Sequence, residues 1–270
     1  MLTERAAVQI PEIQAPELLT LGQMTVGGSW KLELAHHRNR HMLVWVTRGQ
    51  GRVLLDGSRR GVGAHNALFI PANDLTALDM GRGSAGQVLL LPVGSDVTLP
   101  ERPQHLRVRE MAGQAELTTL LETLGRELNG GRPLVHDAVQ AYAGLTGVWL
   151  RRQMTICEEP ERETAARRLS RSFCRRLVDK AGSGETMSDH AEALGVTPTH
   201  LTRVSKAQTG RTAAALLTEQ QLYMARHLLT GTRAPVKNIA QSLGFGSAAY
   251  FTRFIQQHTG QSPLRLRRNG

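Results

Sequence analysis

Three histidines, His36, His37 and His41, crowd the early part of the chain. Imidazoles this close can hold a metal ion once a carboxylate and a later histidine complete the set, which would make the N-terminal half a metalloenzyme with a nucleic-acid-binding tail. The remaining ligands are missing. Val44, Trp45 and Val46 after the histidines offer no carboxylate, and Leu75-Thr-Ala-Leu78 follows the Pro71 turn without a histidine. The chain is therefore expected not to be an enzyme and to need no metal or other cofactor. Cys157 and Cys174 are too few for a disulfide framework or a zinc site. Both sit among apolar residues in helix-like stretches, as buried reduced thiols do.

The C-terminal cations suggest a different chemistry. Formal net charge is +10, from 33 Lys+Arg and 23 Asp+Glu. Residues 1–159 carry 16 of each sign, so residues 160–270, with 17 Lys+Arg against 7 Asp+Glu, hold the whole excess. Such a segment suits a polyanion, although a basic surface kept only for solubility has the same composition.

Pattern separates the two. Residues 188–210 and 237–260 are copies of one motif, in which Ala191-Glu-Ala-Leu-Gly195 matches Ala240-Gln-Ser-Leu-Gly244. Beyond each glycine comes a hydroxyl residue suited to cap a helix, Thr197 and Ser247, with Pro198 at the first helical position of the first copy. Leu201-Thr202-Arg203 then answers Phe251-Thr252-Arg253, and Thr209-Gly210 answers Thr259-Gly260, at a constant offset of 50. Each copy predicts a helix with small residues on one face, a tight glycine turn and a capped second helix, the helix-turn-helix pattern. Ala191 and Ala240 let the helices cross closely, while Leu201, Val204, Phe251 and Phe254 are spaced to face a core. Thr199, Thr202, Arg203 and Lys206, or Ala249, Thr252, Arg253 and Gln256, are left on the outer face, where a major groove would meet them. A single copy is common in helical hairpins that never meet DNA. Two copies inside the segment that holds all the net charge predict a double-stranded DNA partner. Between them, Ala213 to Thr230 predicts a long linking helix with Leu216, Leu217, Tyr223, Met224, Leu228 and Leu229 buried.

The rest of the chain must position these groups. At 270 residues two domains are the natural count. The break falls at the acidic, proline-bearing Glu158-Glu-Pro-Glu161, giving units of 1–158 and 159–270. From Leu18 to Pro100 short β-type runs alternate with turn residues: Trp30–Ala35, Met42–Thr47, Arg52–Leu55, Ala67–Ile70 and Gln87–Leu91, punctuated by Gly49-Gln-Gly51, Asp56-Gly57 and Pro71-Ala-Asn-Asp74. Such spacing predicts an antiparallel sandwich or barrel. Leu117, Leu120, Leu121, Leu124 and Leu128 then form a helical stripe that stops at Asn129-Gly-Gly131, and a second helix runs from about Pro133 to Cys157. These helices suit either the β domain's own core or a dimer seam. With 40% hydrophobic and 21% charged residues the composition is that of an ordinary globular protein. No charged-then-apolar leader and no long apolar run is present, so a cytoplasmic protein without a membrane partner is expected.

The C-terminal stretch resembles the DNA-binding domain of the AraC/XylS family over about a hundred residues. The second copy, Pro235-Val-Lys-Asn-Ile-Ala-Gln-Ser-Leu-Gly-Phe-Gly-Ser-Ala-Ala-Tyr-Phe-Thr-Arg-Phe254 followed by Gly260-Gln-Ser-Pro263, is similar to the family signature nearly position by position. Ser205 departs from it, standing where a core phenylalanine is usual, and so does Leu266, where a tyrosine usually precedes the arginine. The resemblance implies a monomeric domain that inserts two recognition helices into successive major-groove faces on one side of bent DNA. Arg203 and Arg253 would then meet guanine edges, or else phosphate or an ion-pair partner within the domain, and Thr199, Thr202, Ala248, Ala249 and Thr252 thymine methyls or nearby polar edges. Thr197, Ser247, Lys206, Arg211 and Lys237 would meet phosphate through caps and charges.

The N-terminal half resembles the cupin-like sensor barrel of such regulators, with His37 to Gly51, Asp56-Gly57 and Leu68-Phe-Ile-Pro-Ala-Asn73 in the expected order. That implies a small-molecule effector, a homodimer, and contact with RNA polymerase if the chain activates. Strand alternation suggests Trp30, His36 and Trp45 as lining an effector cavity, although an apolar core accounts for both tryptophans as well. The expected fold class is multidomain α+β: an antiparallel β cupin-like barrel with trailing helices, then an all-α domain of two helix-turn-helix units joined by a long linker helix.

Overall fold

The computed structural model describes residues 15–157 and 163–269. The acidic segment Glu158–Glu161, the domain boundary expected inside it, and the Cys157 side chain lie outside the described residues. The first half contains β1 (Glu17–Thr20), α1 (Leu21–Met24), α2 (Trp30–Glu33), β2 (Arg40–Arg48), β3 (Gln50–Leu55), β4 (Ser58–Gly63), β5 (Asn66–Ile70), β6 (Ala77–Met80), β7 (Ala85–Pro92) and β8 (Gln104–Arg107). All ladders are antiparallel: one sheet runs β1-β7-β2-β5-β8, the other β4-β3-β6. Among the described residues these ladders do not close into a ring, so the expected barrel is present as two facing sheets.

Alternation on β2 explains how the sheets are covered. Met42, Val44 and Val46 point into the core between the sheets, with Val53, Leu55 and Val62 opposite them. Leu43 and Trp45 point the other way, into a second core under the helices α3 (Met111–Gly130) and α4 (Val135–Cys157). Leu117, Leu121 and Leu124 are buried there with Trp149 and Leu150, so the leucine stripe packs on its own sheet.

One expected strand is corrected. Trp30–Ala35 begins as the helical turn α2, because Gly27 (φ 88°) and Gly28 (φ 129°) turn the chain just before it and the Trp30 indole donates back to the Gly27 carbonyl at 3.0 Å.

The second half is helical: α5 (Ala165–Asp179), α6 (Met187–Ala193), α7 (Pro198–Thr209), α8 (Ala213–Gly231), α9 (Val236–Ser242), α10 (Ala248–Thr259) and α11 (Pro263–Asn269). It has two cores. Phe251, Phe254, Ile255, Ile239 and Leu243 gather against the later part of α8. Phe173, Leu177, Leu201 and Leu216 gather at its start, and this cluster also takes in Ala35, Leu54, Leu75 and Ala77 from the first half. The first helical unit therefore shares its core with the three-stranded sheet.

Candidate nucleic-acid interface

The two copies fold alike, and each signal in the motif has a local cause. Both α6 and α9 end on a left-handed glycine, Gly195 at φ 66° and Gly244 at φ 78°, a conformation that side chains with a Cβ rarely adopt. The amide after each glycine, Val196 or Phe245, donates to the carbonyl five residues back, Ala191 or Ala240, at 3.0 Å in both. Ala191 and Ala240 are themselves buried. The second turn is one residue longer, since Gly195 and Gly244 are 49 apart and the caps Thr197 and Ser247 are 50 apart.

Thr197 then accepts the His200 amide at 3.2 Å and Ser247 the Tyr250 amide at 3.1 Å, satisfying donors that have no partner inside a helix. The second helix of each copy closes in the same way. Gly210 (φ 77°) and Gly260 (φ 68°) end α7 and α10, and the hydroxyls of Thr209 and Thr259 donate 2.7 Å bonds back to the carbonyls of Ser205 and Ile255. Those same hydroxyls accept the amides of Arg211 and Gln261.

Packing separates the faces as the spacing predicts. Leu201, Val204 and Phe251, Phe254 are buried. Thr199, Arg203 and Lys206 are exposed on α7, and Ala249, Arg253 and Gln256 on α10, with Thr202, Ala248 and Thr252 half-buried beside them. Lys237 is exposed at the start of α9. Within this face a guanidinium nitrogen of Arg203 lies 3.1 Å from His200 Nδ1. Ser205 is fully buried and its Oγ finds no hydrogen-bond partner among the described residues.

Arg211 stands apart. Its guanidinium contacts Glu219 at 2.7 Å and donates to the Glu33 carbonyl at 2.9 Å, which commits it to the junction between the two halves. Two outward residues absent from the motif-based set are His200 and Tyr250, the latter 55% exposed at the third position of α10. A tyrosine directly after the two small residues Ala248-Ala249 was the available signal.

Trp30, His36 and Trp45 do not converge. Trp45 donates to Thr118 at 3.1 Å beneath α3 and meets Trp149 edge-on. Trp30 and His36 instead pack on Tyr223 of α8. Among the described residues no group of three or more His, Cys, Asp or Glu side chains could hold a metal ion, and no helix is long and apolar enough to cross a membrane.

Residues 190–269 match a helix-turn-helix domain family. The chain is 26% identical over 250 residues to the HTH-type transcriptional activator RhaS of Citrobacter koseri, covering 86% of each. It is 28% identical over 98 residues to the arabinose operon regulatory protein of Escherichia coli, a match that spans 36% of this chain and 34% of that relative. Among solved structures, ToxT from Vibrio cholerae aligns over 94% of this chain and 96% of its own, at 10% identity and a TM-score of 0.41. These relatives are transcription regulators, and the metalloenzyme alternative finds no support among them. Residues 190–269 thus match a helix-turn-helix domain family, in a chain similar to transcription regulators of the RhaS and arabinose-operon type.

Proposed function

We propose that this chain regulates transcription by laying α7 and α10 into consecutive major-groove faces of one duplex. The observation that carries the reading is the duplicated outward face: Thr199, Arg203 and Lys206 on α7 occupy the positions of Ala249, Arg253 and Gln256 on α10, all exposed, in a half that holds the whole net positive charge. Arg203 and Arg253 read guanine edges, and Thr199, Thr202, Ala248, Ala249 and Thr252 meet thymine methyls or polar edges. Lys206, Lys237 and the capped ends at Thr197 and Ser247 meet phosphate. Arg211 is left out, because its ion pair and carbonyl bond already occupy it.

The division into a regulatory unit of residues 1–158 and a reader of 159–270 belongs to the same proposal. The N-terminal sheets serve as a cupin-like sensor, as a homodimer module, or as both. The cleft best suited to a small effector is the opening of about 690 Å³ at the ends of the two sheets, lined by Gln50, Arg52, Asn66, Asp79 and Arg107 among others.

Selection of bound duplexes from a random library by the full chain tests the reading. The expected product is a two-part sequence whose recurring blocks lie about one helical turn, roughly 10 base pairs, apart. Recovery of a single short block, or of no sequence preference at all, would overturn it.

A further inference from the structure

We propose that Arg59, on strand β4 of the N-terminal half, supplies a DNA-phosphate contact to the first recognition helix. The inference extends the reading of α7 as a groove-binding helix and adds a residue from the half that carries no net charge. On a helix of 3.6 residues per turn, Thr199, Arg203, Lys206 and position 210 fall within about 60° of one another, so the helix end at Gly210 continues the outward face. Gly210 has no side chain to place there.

Arg59 takes that place. A Cβ built on Gly210 would sit 2.8 Å from Arg59 Nη1, 3.3 Å from its Cδ and 3.7 Å from its Cζ, so the guanidinium stands where the side chain of residue 210 would stand. β4 is held in position by its ladder to β3, in which Arg59 pairs with Leu54, and Leu54 is buried in the core shared with the first helical unit. The side chain of Arg59 is exposed and makes no ion pair with any described residue.

The surroundings leave this cation available. Arg59 borders a cleft of about 190 Å³ together with Arg52, Asp79, Thr209, Gly210 and Arg211. Asp79 lies opposite Arg52 on the neighbouring strand, and the charge of Arg211 is taken by Glu219. Among the described residues the second unit has nothing comparable, since beyond its chain neighbours no heavy atom comes within 4 Å of a Cβ built on Gly260. One turn along α7 from Lys206, about 6 Å, Arg59 extends the cationic edge toward the next stretch of backbone.

The test uses the full chain and a duplex that the unaltered chain selects from a random library, with affinity followed against salt concentration. Each phosphate contact contributes about 0.9 to the slope of log K against log salt. Arg59→Gln should lower that slope by about 0.9, equally on the selected duplex and on an unrelated one, so that between 50 and 200 mM salt it loses roughly 3.5-fold less affinity than the unaltered chain. Arg59→Lys should restore the slope, because it keeps the charge. Arg82→Gln, which removes an exposed cation in the β6–β7 turn, should leave the slope alone.

An unchanged slope in Arg59→Gln, even with a lowered melting temperature, would reduce Arg59 to a helix-end cation within the fold and overturn the proposal. An equal drop in Arg82→Gln would overturn it too, since net charge would then be the cause. Absence of salt-dependent duplex binding by the unaltered chain would instead defeat the groove-binding reading on which the proposal rests.

Discussion

His36 lies flat against Tyr223, ring centroids 3.9 Å apart and planes 12° from parallel, and this stack joins the N-terminal half to the linker helix α8. Trp30 meets the same tyrosine at 5.5 Å and carries Arg226 over its own face at 4.3 Å. His37 Nδ1 lies 3.3 Å from the Gln220 side-chain amide on the next turn. His36 Nδ1 is 2.7 Å from the Leu34 carbonyl oxygen, which makes Nδ1 the donor and leaves Nε2 buried with no partner among the described residues.

Burial first, and then the charge of Arg38, holds His36 well below the ordinary value of 6.5, with His37 and His227 adding smaller repulsions of the same sign. The folded chain thus keeps His36 neutral at pH values where the unfolded chain takes up a proton. Its contribution to stability is intact above about pH 6.5 and is lost as pH falls from there toward the folded value. The melting temperature should fall between about pH 7 and 5, and fall less steeply in His36→Phe, which keeps an aromatic face on Tyr223 but cannot titrate. Parallel melting curves for the two proteins would assign the lost stability to other groups, His37 and His41 being lowered by burial as well.

Asp74 carries the opposite sign. Burial, then the like charge of Asp56, raises its carboxyl to about 6, against the pull of Arg175, Arg171 and the Leu75 amide. The folded chain holds a proton that the unfolded chain has lost, so stability declines as pH climbs from about 4 through 6. Asp74→Asn stays neutral and retains an acceptor for the Leu75 amide. It should stabilise the protein by about 1–2 kcal/mol at pH 8 and by little near pH 4. Denaturant unfolding at the two pH values measures this, and an equal change at both would remove desolvation of the carboxylate as the cause.

The helical half was legible in the sequence because its signals are local. Thr197 and Ser247 cap, Gly195 and Gly244 turn, and the apolar spacing turns Phe251 and Phe254 inward, all within a dozen residues. Strand alternation was legible too, but it says which face a residue takes and not what covers that face. Trp45 and His36 could therefore be grouped in one cavity, although α3 covers the first and α8 the second. Arg211 is grouped with the phosphate contacts by the resemblance, through its charge. Its bond to Glu33, 178 residues earlier, exists only once the halves meet. The hairpin turn Asp56-Gly57 likewise gave no sign of its destination on α5, where Arg171 Nε contacts Asp56 at 2.7 Å and the Ser170 hydroxyl donates to the Gly57 carbonyl at 2.7 Å.

That shared junction bears on whether the reader works alone. A fragment of residues 161–270 should still bind DNA with strong salt dependence, because both recognition faces lie within it. Its two units should not be equally stable. The first loses Ala35, Leu54, Leu75 and Ala77 from the core around Phe173 and Leu201, whereas among the described residues the cluster around Phe251 and Phe254 takes only the partly buried Leu34 from the other half. Hydrogen exchange on the fragment should therefore show α5 to α7 opening well before α9 to α11. Uniform protection across both units would mean that the junction adds little to the first core, and a folded fragment that ignores DNA at low salt would undo the division into regulatory unit and reader.

The two arginines on the recognition faces differ in their surroundings, which makes them separately testable. Arg203 is held 3.1 Å from His200 Nδ1, whereas the corresponding neighbour of Arg253 is Tyr250, packed 5.7 Å from Phe245. Arg253→Ala should cost on the order of 1–3 kcal/mol on the selected duplex and relax base preference in one block only. Arg203→Ala should do the same in the other block, and His200→Ala should weaken that block alone by freeing the guanidinium it restrains. Competition binding against duplexes altered block by block reads all three. A loss of equal size on every duplex would reassign the arginine concerned to the phosphate backbone, because a contact to phosphate carries no information about the base beside it.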